Sequence, residues 1–550
     1  MMTEAKAIPY LKIHPDDNVL VALQDIPAGT AFSLEENQII LPQYVAAKHK
    51  FFLRDMQEGE SVIMYGKLVG KVQCTISKGE IMTTGNTKHA ASPYSYKGFV
   101  QNWKKPDVSH FINRTFNGYK RNDGRVGTAN YWLFIPLVFC ENRNLDVIRE
   151  ALQKELGYES SDKYNGFTRQ LLHAYEQGEN LFNIDLSSSS TIKNRFFKNV
   201  DGIKFLNHTG GCGGTRQDAA TLSSLLAAYA DHPNVGGVTV LSLGCQHLQV
   251  KYFLDELKKR NPSFDRPIYV FDQQKSQSEE QMICDAIRKT FIGLTEINKA
   301  EREPFPLSAL AVGVKCGGSD GFSGISANPS VGYASDLLVA LGGTVLLAEF
   351  PELCGAEQDI LDRCVNDELA KKFVDLMESY NDLAKKAGSG FHMNPSPGNI
   401  KDGLITDAMK SAGAAKKGGT SPVTGVLDYT EPVVKAGLNL VCTPGNDVEA
   451  TTGQTASGAT LILFTTGLGT PTGNPLAQTI KIATSSKLAK RMDDIIDIDT
   501  GGIISGHKTI PQMGEEILEY CIRAASGEII PKAVLLGQDD FIPWKRGVSL

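Results

Sequence analysis

The stretch Lys315-Cys316-Gly317-Gly318-Ser319-Asp320-Gly321-Phe322-Ser323-Gly324-Ile325-Ser326-Ala327-Asn328-Pro329-Ser330 decides how the rest of the chain is read. A mostly apolar run, Leu307 to Val314, leads into it and predicts a buried strand. Asn328 suits an N-cap and Pro329 a first helical residue, so a helix is expected to follow. Between the two lie glycines, a thiol, a carboxylate and several hydroxyls. A flexible connector needs no such set. Loops at the carboxyl ends of parallel strands are where α/β sheets bind ligands.

Working outward, the same pattern recurs. A strand near Phe205-Leu206 runs into His208-Thr209-Gly210-Gly211-Cys212-Gly213-Gly214, and Thr215 with Asp218 predicts a capped helix start. Val238 to Leu243 reads as a buried strand ending in Gly244-Cys245-Gln246-His247. Thr344 to Ala348 is another, ending in Glu349-Phe350-Pro351-Glu352-Leu353-Cys354-Gly355-Ala356-Glu357. Residues 367 to 387 predict a long amphipathic helix. Later strands are expected at Leu438–Cys442, Ala459–Phe464 and Lys481–Thr484. Strands alternating with helices predict a mostly parallel sheet with helices on both faces. On that arrangement the strand-end loops share one edge.

The N-terminal part differs. Residues 8 to 82 hold short apolar runs separated by three similar turns, Asp25 to Thr30, Asp55 to Glu60 and Thr75 to Glu80. Each has glycine where positive φ is favoured, which predicts a small all-β module. Residues 83 to 113 are polar and proline-containing and read as a linker.

At 550 residues the chain is too long for one core. It is 41% hydrophobic and 21% charged, as for a soluble globular protein, and its net charge of −6 provides no basic footprint for nucleic acid. No apolar run reaches membrane-spanning length. Met1 to Lys6 precede polar sequence without a signal-peptide core, so a cytoplasmic location is expected. None of the ten cysteines forms a Cys-x-x-Cys pair, which leaves zinc-ribbon and thioredoxin chemistry unsupported. No Walker lysine motif and no well-placed Gly-x-Gly-x-x-Gly occurs, so no nucleotide cofactor is expected.

The strand-end loops carry His208, Cys212, Cys245, His247, Cys316, Asp320, Glu349, Glu352 and Glu357. Thiolate, imidazole and carboxylate together suit a divalent metal such as iron or zinc. Each also has a structural reading. Cys212 and Cys245 fit packed thiols, His208 a hydrogen-bonded strand end, and Glu357 a helix start. Glu349 ends an apolar run, where an unpaired charge is costly.

These residues sit in motifs that resemble the altronate/galactarate dehydratase family of sugar-acid hydro-lyases. The resemblance runs from Gly118-Tyr119-x-Arg121-x-Asp123-Gly124-Arg125-Val126-Gly127-Thr128-x-Asn130, through His208–Gly213, Gly244-Cys245 and Cys316–Pro329. It continues through Glu349–Glu357, Asn394–Asn399, Lys417–Thr420 and Ile480–Thr484. It implies a β-clip (SAF-type) domain at 1–82, a linker at 83–113, a second α/β domain linked to dimer formation at 114–262, and a Rossmann-like, metal-binding catalytic domain at 263–550. It implies iron-dependent dehydration of a sugar acid, altronate in particular, by a homodimer. Mn2+ or another divalent ion is the alternative metal. Galactarate and a sulfolactate-type substrate are the alternatives among enzymes, and a non-catalytic sugar-acid sensor is the alternative of another class. Many relatives carry a His-x-His pair at the end of the β module, where this chain reads Thr83-Thr84-Gly85-Asn86. Cys354 and Cys442 stand where relatives often differ and are not expected to be metal ligands.

The implied metal ligands are Cys316, Glu349 and His208, with Cys212 and Cys245 as alternatives. Asp320, Glu352 and Glu349 are the candidate acid/base groups. Ser319, Ser323, Asn328, Asn399, Lys417 and Thr420 are the candidate substrate-binding residues.

Overall fold

The computed structural model describes residues 9–34, 37–100, 103–159, 163–186 and 194–546. Met1 to Lys6, on which the targeting expectation rests, lie outside them. The chain divides into two compact units. One comprises residues 1–116, 305–471 and 479–524. The other comprises 117–304, 472–478 and 525–550.

In the first unit, the N-terminal β module is built from short antiparallel pairings. Val19–Ala22 lies between Tyr10–Leu11 and Lys50–Phe52, Ala31–Leu34 pairs with Asn37–Ile40, and Lys67–Val72 lies between Ser61–Met64 and Thr87–Lys88. The three repeated turns place Gly29, Gly59 and Gly79 at φ +78°, +85° and +86°, the left-handed region where a side chain is strained. The last strand, Thr87–Lys88, falls inside the stretch read as a linker.

The α/β body of this unit is a seven-stranded sheet. Its spatial order is Val423–Leu427, Gly437–Val441, Thr344–Leu347, Ala311–Cys316, Leu461–Thr466, Gln478–Ala483 and Ile498–Asp499. The central pairings are parallel. Cys316 therefore ends the strand at the sheet centre, and Glu349 follows the neighbouring strand.

The β module and this body share a core. Val62, Met64, Val69 and Met82 pack with Phe322, Ile325, Ile405, Ala408 and Met409. Polar contacts reinforce it. Lys50, fully buried, donates to the carbonyls of Lys48 (2.9 Å) and Gly403 (2.7 Å). The Lys48 carbonyl sits so close to Gly321 and Gly403 that a Cβ at either would come within 2.4 Å of it. Only glycine permits that approach.

The second unit holds a four-stranded parallel sheet in the order Gly202–Phe205, Tyr131–Pro136, Val235–Ser242 and Ile268–Asp272. Helices Asn142–Leu156 and Glu279–Ile297 contribute Leu145, Ile148, Ala286 and Leu294 to its core. Trp132 lies against Gly237 and Gly293 and donates to Thr239 Oγ1 at 2.9 Å.

Three expectations are corrected. The opening strand is Ala311–Cys316, with a 3-10 turn at Leu307–Ala309. The following helix starts at Ala327, and its cap residue is Ser326, without a side-chain cap bond. Asn328 is not the cap because its amide is engaged elsewhere, donating to Gly413 O at 3.1 Å and accepting from Thr465 Oγ1 at 2.6 Å. Finally, the strand-end loops do not share one sheet edge. Those of His208, Cys212 and Cys245 belong to the four-stranded sheet, and those of Cys316 and Glu349 to the seven-stranded one.

Candidate active site

Cys316, Glu349 and Glu352 come together at the carboxyl end of the seven-stranded sheet, one ligand atom of each within 4.8 Å of the others. All three are buried, Glu349 completely. The backbone of Glu349 is left-handed, at φ +73°. This costs a non-glycine residue of order 1–3 kcal/mol and persists only where surrounding structure enforces it. Here Thr443 Oγ1 accepts from the Glu349 amide at 3.0 Å. The turn sends the chain into the 3-10 segment Phe350–Leu353, which presents Glu352.

Three lysines surround the acids. Lys315 donates to Glu349 Oε1 at 2.5 Å, Asp447 Oδ1 at 2.7 Å and Cys316 O at 2.6 Å. Lys417 donates to Cys316 Sγ at 2.7 Å and lies 3.7 Å from Glu349 Oε2. Lys410 contacts Glu352 Oε1 at 2.9 Å and Asn394 Oδ1 at 2.8 Å. Three ammonium groups thus face the carboxylates of Glu349, Glu352 and Asp447. Burial disfavours charge on the three lysines and on Glu349 and Glu352. For Lys315, Glu349 and Asp447 more than offset burial and hold the ammonium above its ordinary value. Burial also pushes Glu352 up, but Lys410, Lys315 and Lys417 outweigh it and hold Glu352 below the usual carboxylate range. Burial and the Glu352 charge push Glu349 up to about 7. Burial, followed by Glu352, raises the Cys316 thiol despite Lys417.

Glu349 Oε2 is buried without a hydrogen-bond partner. A buried carboxylate oxygen that makes no hydrogen bond, with Lys417 3.7 Å away and a thiol and a second carboxylate beside it, is what a divalent cation would satisfy. The donor set fits such an ion.

A small cavity lies beside this cluster, lined by Tyr65, Ser319, Ser323, Asn328, Met409 and Lys410 among others. Lys410 is common to both. Asn399 supports the wall by donating to Ser319 O at 2.8 Å. Asp320 is saturated: Oδ1 accepts from Phe322 N and Ser323 Oγ, and Oδ2 accepts from Thr484 Oγ1 and pairs with Lys48 at 2.9 Å. Thr420 is exposed and bound to Asp336 through its amide and hydroxyl. Glu357 begins the helix Glu357–Leu361 and accepts from Gly355 N.

His208, Cys212 and Cys245 lie in the second unit. His208 is buried and pushed down to about 4 by burial, hence neutral. Its Nε2 donates to Pro136 O at 2.7 Å and its Nδ1 accepts from Gly210 N at 3.1 Å, so both nitrogens are engaged locally. Cys212 and Cys245 are exposed. Their loops meet where His247 N donates to Gly211 O at 3.0 Å.

Sequence reasoning missed Lys315, Lys410, Asp447 and Tyr65 as members of this region. Lys315 carried a signal, a charge inside an apolar strand. Asp447 carried a weaker one, in the turn after a strand. Lys410 and Tyr65 carried none.

Comparison with known proteins agrees over nearly the whole chain. Family profiles described as "Altronate/galactarate dehydratase SAF domain", "D-galactarate dehydratase/Altronate hydrolase, second domain" and "D-galactarate/Altronate dehydratase, C-terminal" match residues 8–90, 118–298 and 307–549. Altronate dehydratase of Escherichia coli (strain K12) is 34% identical over 528 residues, covering 94% of this chain and 95% of that protein. Altronate dehydratase of Bacillus subtilis (strain 168) is 33% identical over 525 residues, 95% and 96% of the two chains. Galactarate dehydratase (L-threo-forming) of Escherichia coli (strain K12) is 32% identical over 525 residues, 94% and 93% of the two. With its N-terminal SAF domain, its Rossmann-like α/β remainder and this buried polar centre, the chain belongs to the altronate/galactarate dehydratase family and is a hydro-lyase.

Proposed function

We propose that the chain dehydrates a sugar acid, D-altronate in particular, to 2-keto-3-deoxy-D-gluconate with the help of a divalent metal, Fe2+ first among candidates. The observation that carries this reading is the Cys316–Glu349–Glu352 cluster, whose Glu349 Oε2 makes no hydrogen bond, set beside a hydroxyl-lined cavity. The relatives named altronate dehydratase favour altronate over other sugar acids.

Cys316, Glu349 and Glu352 would hold the ion. When bound, it would supply Lewis-acid stabilisation of the negative charge that develops as the C2 proton passes to Glu349, whose carboxyl is pushed up to about 7 by burial and the Glu352 charge. The remaining work falls to the chain. Ser319 presents its hydroxyl on the cavity wall to the substrate's hydroxyls, and Ser323, held by Asp320, and Asn328, held by Gly413 and Thr465, shape that wall. Lys410, whose ammonium is sustained chiefly by Glu352 against burial, is the proton donor on that wall for the departing C3 hydroxyl. Lys417 balances the charge of the thiol and carboxylates. Asp320, with both oxygens occupied, fixes the loop that carries Ser319 and Ser323.

The cavity has room for about one water molecule, so a six-carbon acid requires its wall to open. Tyr65 of the β module forms part of that wall. Tyr65→Phe is expected to raise KM roughly 2- to 10-fold, one hydrogen bond's worth, with kcat within about twofold. An unchanged KM would remove Tyr65 from the substrate's surroundings.

The direct test is anaerobic incubation with ferrous iron and a panel of sugar acids, scoring 2-keto-3-deoxy products. Altronate is expected to give the highest kcat/KM. A higher value for galactarate would move the assignment to the diacid. Turnover of no acid in the panel would overturn the reading.

A further inference from the structure

We propose a second divalent-cation site, separate from the centre above, formed by His89, Cys354 and Asp407. The three residues come from distant parts of the first unit. His89 follows the last strand of the β module, Cys354 follows the 3-10 turn Phe350–Leu353, and Asp407 opens the helix Asp407–Ala414. One ligand atom of each lies within 4.8 Å of the others. None of the three belongs to the Cys316 centre.

Asp407 supplies an independent sign. It is 1% exposed, and its Oδ2 receives no N–H or O–H donor; the Cys354 thiol is the group that faces its carboxylate. Its neighbour Lys410 is committed to Glu352 and Asn394. A buried carboxylate oxygen left in this state is costly, and a cation removes the cost.

The imidazole is in the right tautomer. The Ala408 amide donates to His89 Nδ1 at 3.2 Å, and an amide nitrogen cannot accept. Nδ1 therefore carries a lone pair at the start of the helix that bears Asp407. This is a long bond, and a metal bound at Nδ1 replaces it. Thiolate, imidazole and carboxylate with one water make the four-coordinate set that Zn2+ prefers. On binding, the Cys354 thiol gives up its proton to solvent and the sulfur bonds to the metal, with no redox change. The ion would tie the end of the β module to the helix carrying Lys410.

The test uses Co2+ on the full-length protein freed of metal by chelation. C316S, which lacks the thiol of the other centre, is expected to bind one equivalent and to show a thiolate-to-cobalt absorption band. C316S/C354A is expected to lose that band and bind Co2+ at least tenfold more weakly. Absence of the band in C316S overturns the proposal. So does a band that survives C354A, which would mark adventitious binding at surface thiols. If C316S does not fold, the otherwise unaltered chain is compared with D407N: loss of one equivalent supports the site, and unchanged stoichiometry overturns it. These readouts are independent of turnover, so failure of the dehydratase assignment and failure of this site are separable.

Discussion

Replacing Cys316 with serine is expected to lower kcat by about three decades, equivalent to ~4 kcal/mol of lost transition-state stabilisation, and to abolish tight binding of ferrous iron at the active site. The thiol is the one soft donor among the three clustered residues. Serine keeps the size and hydrogen-bonding capacity, but its hydroxyl does not ionise near neutrality. Lys417, now 2.7 Å from the sulfur, would face a neutral oxygen. The measurement is iron stoichiometry and steady-state turnover on protein whose circular dichroism matches the unaltered chain. Full activity in C316S would sink the assignment of this centre. Retained iron with lost turnover would instead restrict Cys316 to the reacting groups.

The second large effect is on stability. Lys315→Met is expected to destabilise the first unit by about 3–5 kcal/mol, the usual cost of breaking a buried ion pair from one side. Lys315 is fully buried, and its three hydrogen bonds go to Glu349, Asp447 and the Cys316 carbonyl. Methionine fills much of the volume and leaves those oxygens unpaired. Urea unfolding gives the midpoint and slope, and the loss should appear as a lower midpoint at unchanged slope. The double variant Lys315→Met/Glu349→Gln should recover part of the loss, because it removes one stranded charge. A midpoint within experimental error of the unaltered protein would show that the ion triad adds nothing to stability.

Both variants rest on neighbouring residues, Lys315 and Cys316, and only one of them stood out by its chemistry in the sequence. A thiol between an apolar strand and a glycine run is conspicuous. So are acids at the end of an apolar run, as at Glu349. These features are local, and periodicity together with burial cost exposes them. The partners are not local. Lys410 sits on an ordinary helix, Asp447 opens another, and Tyr65 lies in a different module. Their convergence depends on strand order, which places the strands beginning at Ala311 and Thr344 side by side at the sheet centre. The error at Asn328 has the same origin. A local rule assigned its side chain to a helix cap, whereas Thr465 and Gly413 offered it better-defined partners. The repeated turns at Gly29, Gly59 and Gly79 were readable because a positive φ is a demand made by the backbone alone.

The bond from Lys50 to Gly403 spans 353 residues, and the largest segment of the second unit, residues 117–304, is spelled out between its ends. On the ribosome the β module therefore emerges long before the segment it packs against. At the usual elongation rates of about 5–20 residues per second, the interval is roughly 18–70 s. Throughout it Val62, Met64 and Val69 lack Ile405, Ala408 and Met409, and the Lys50 ammonium lacks its distal carbonyl. The nascent module is thus an open apolar surface awaiting its own C-terminal half. Translation speed across the intervening residues sets how long that surface stays open.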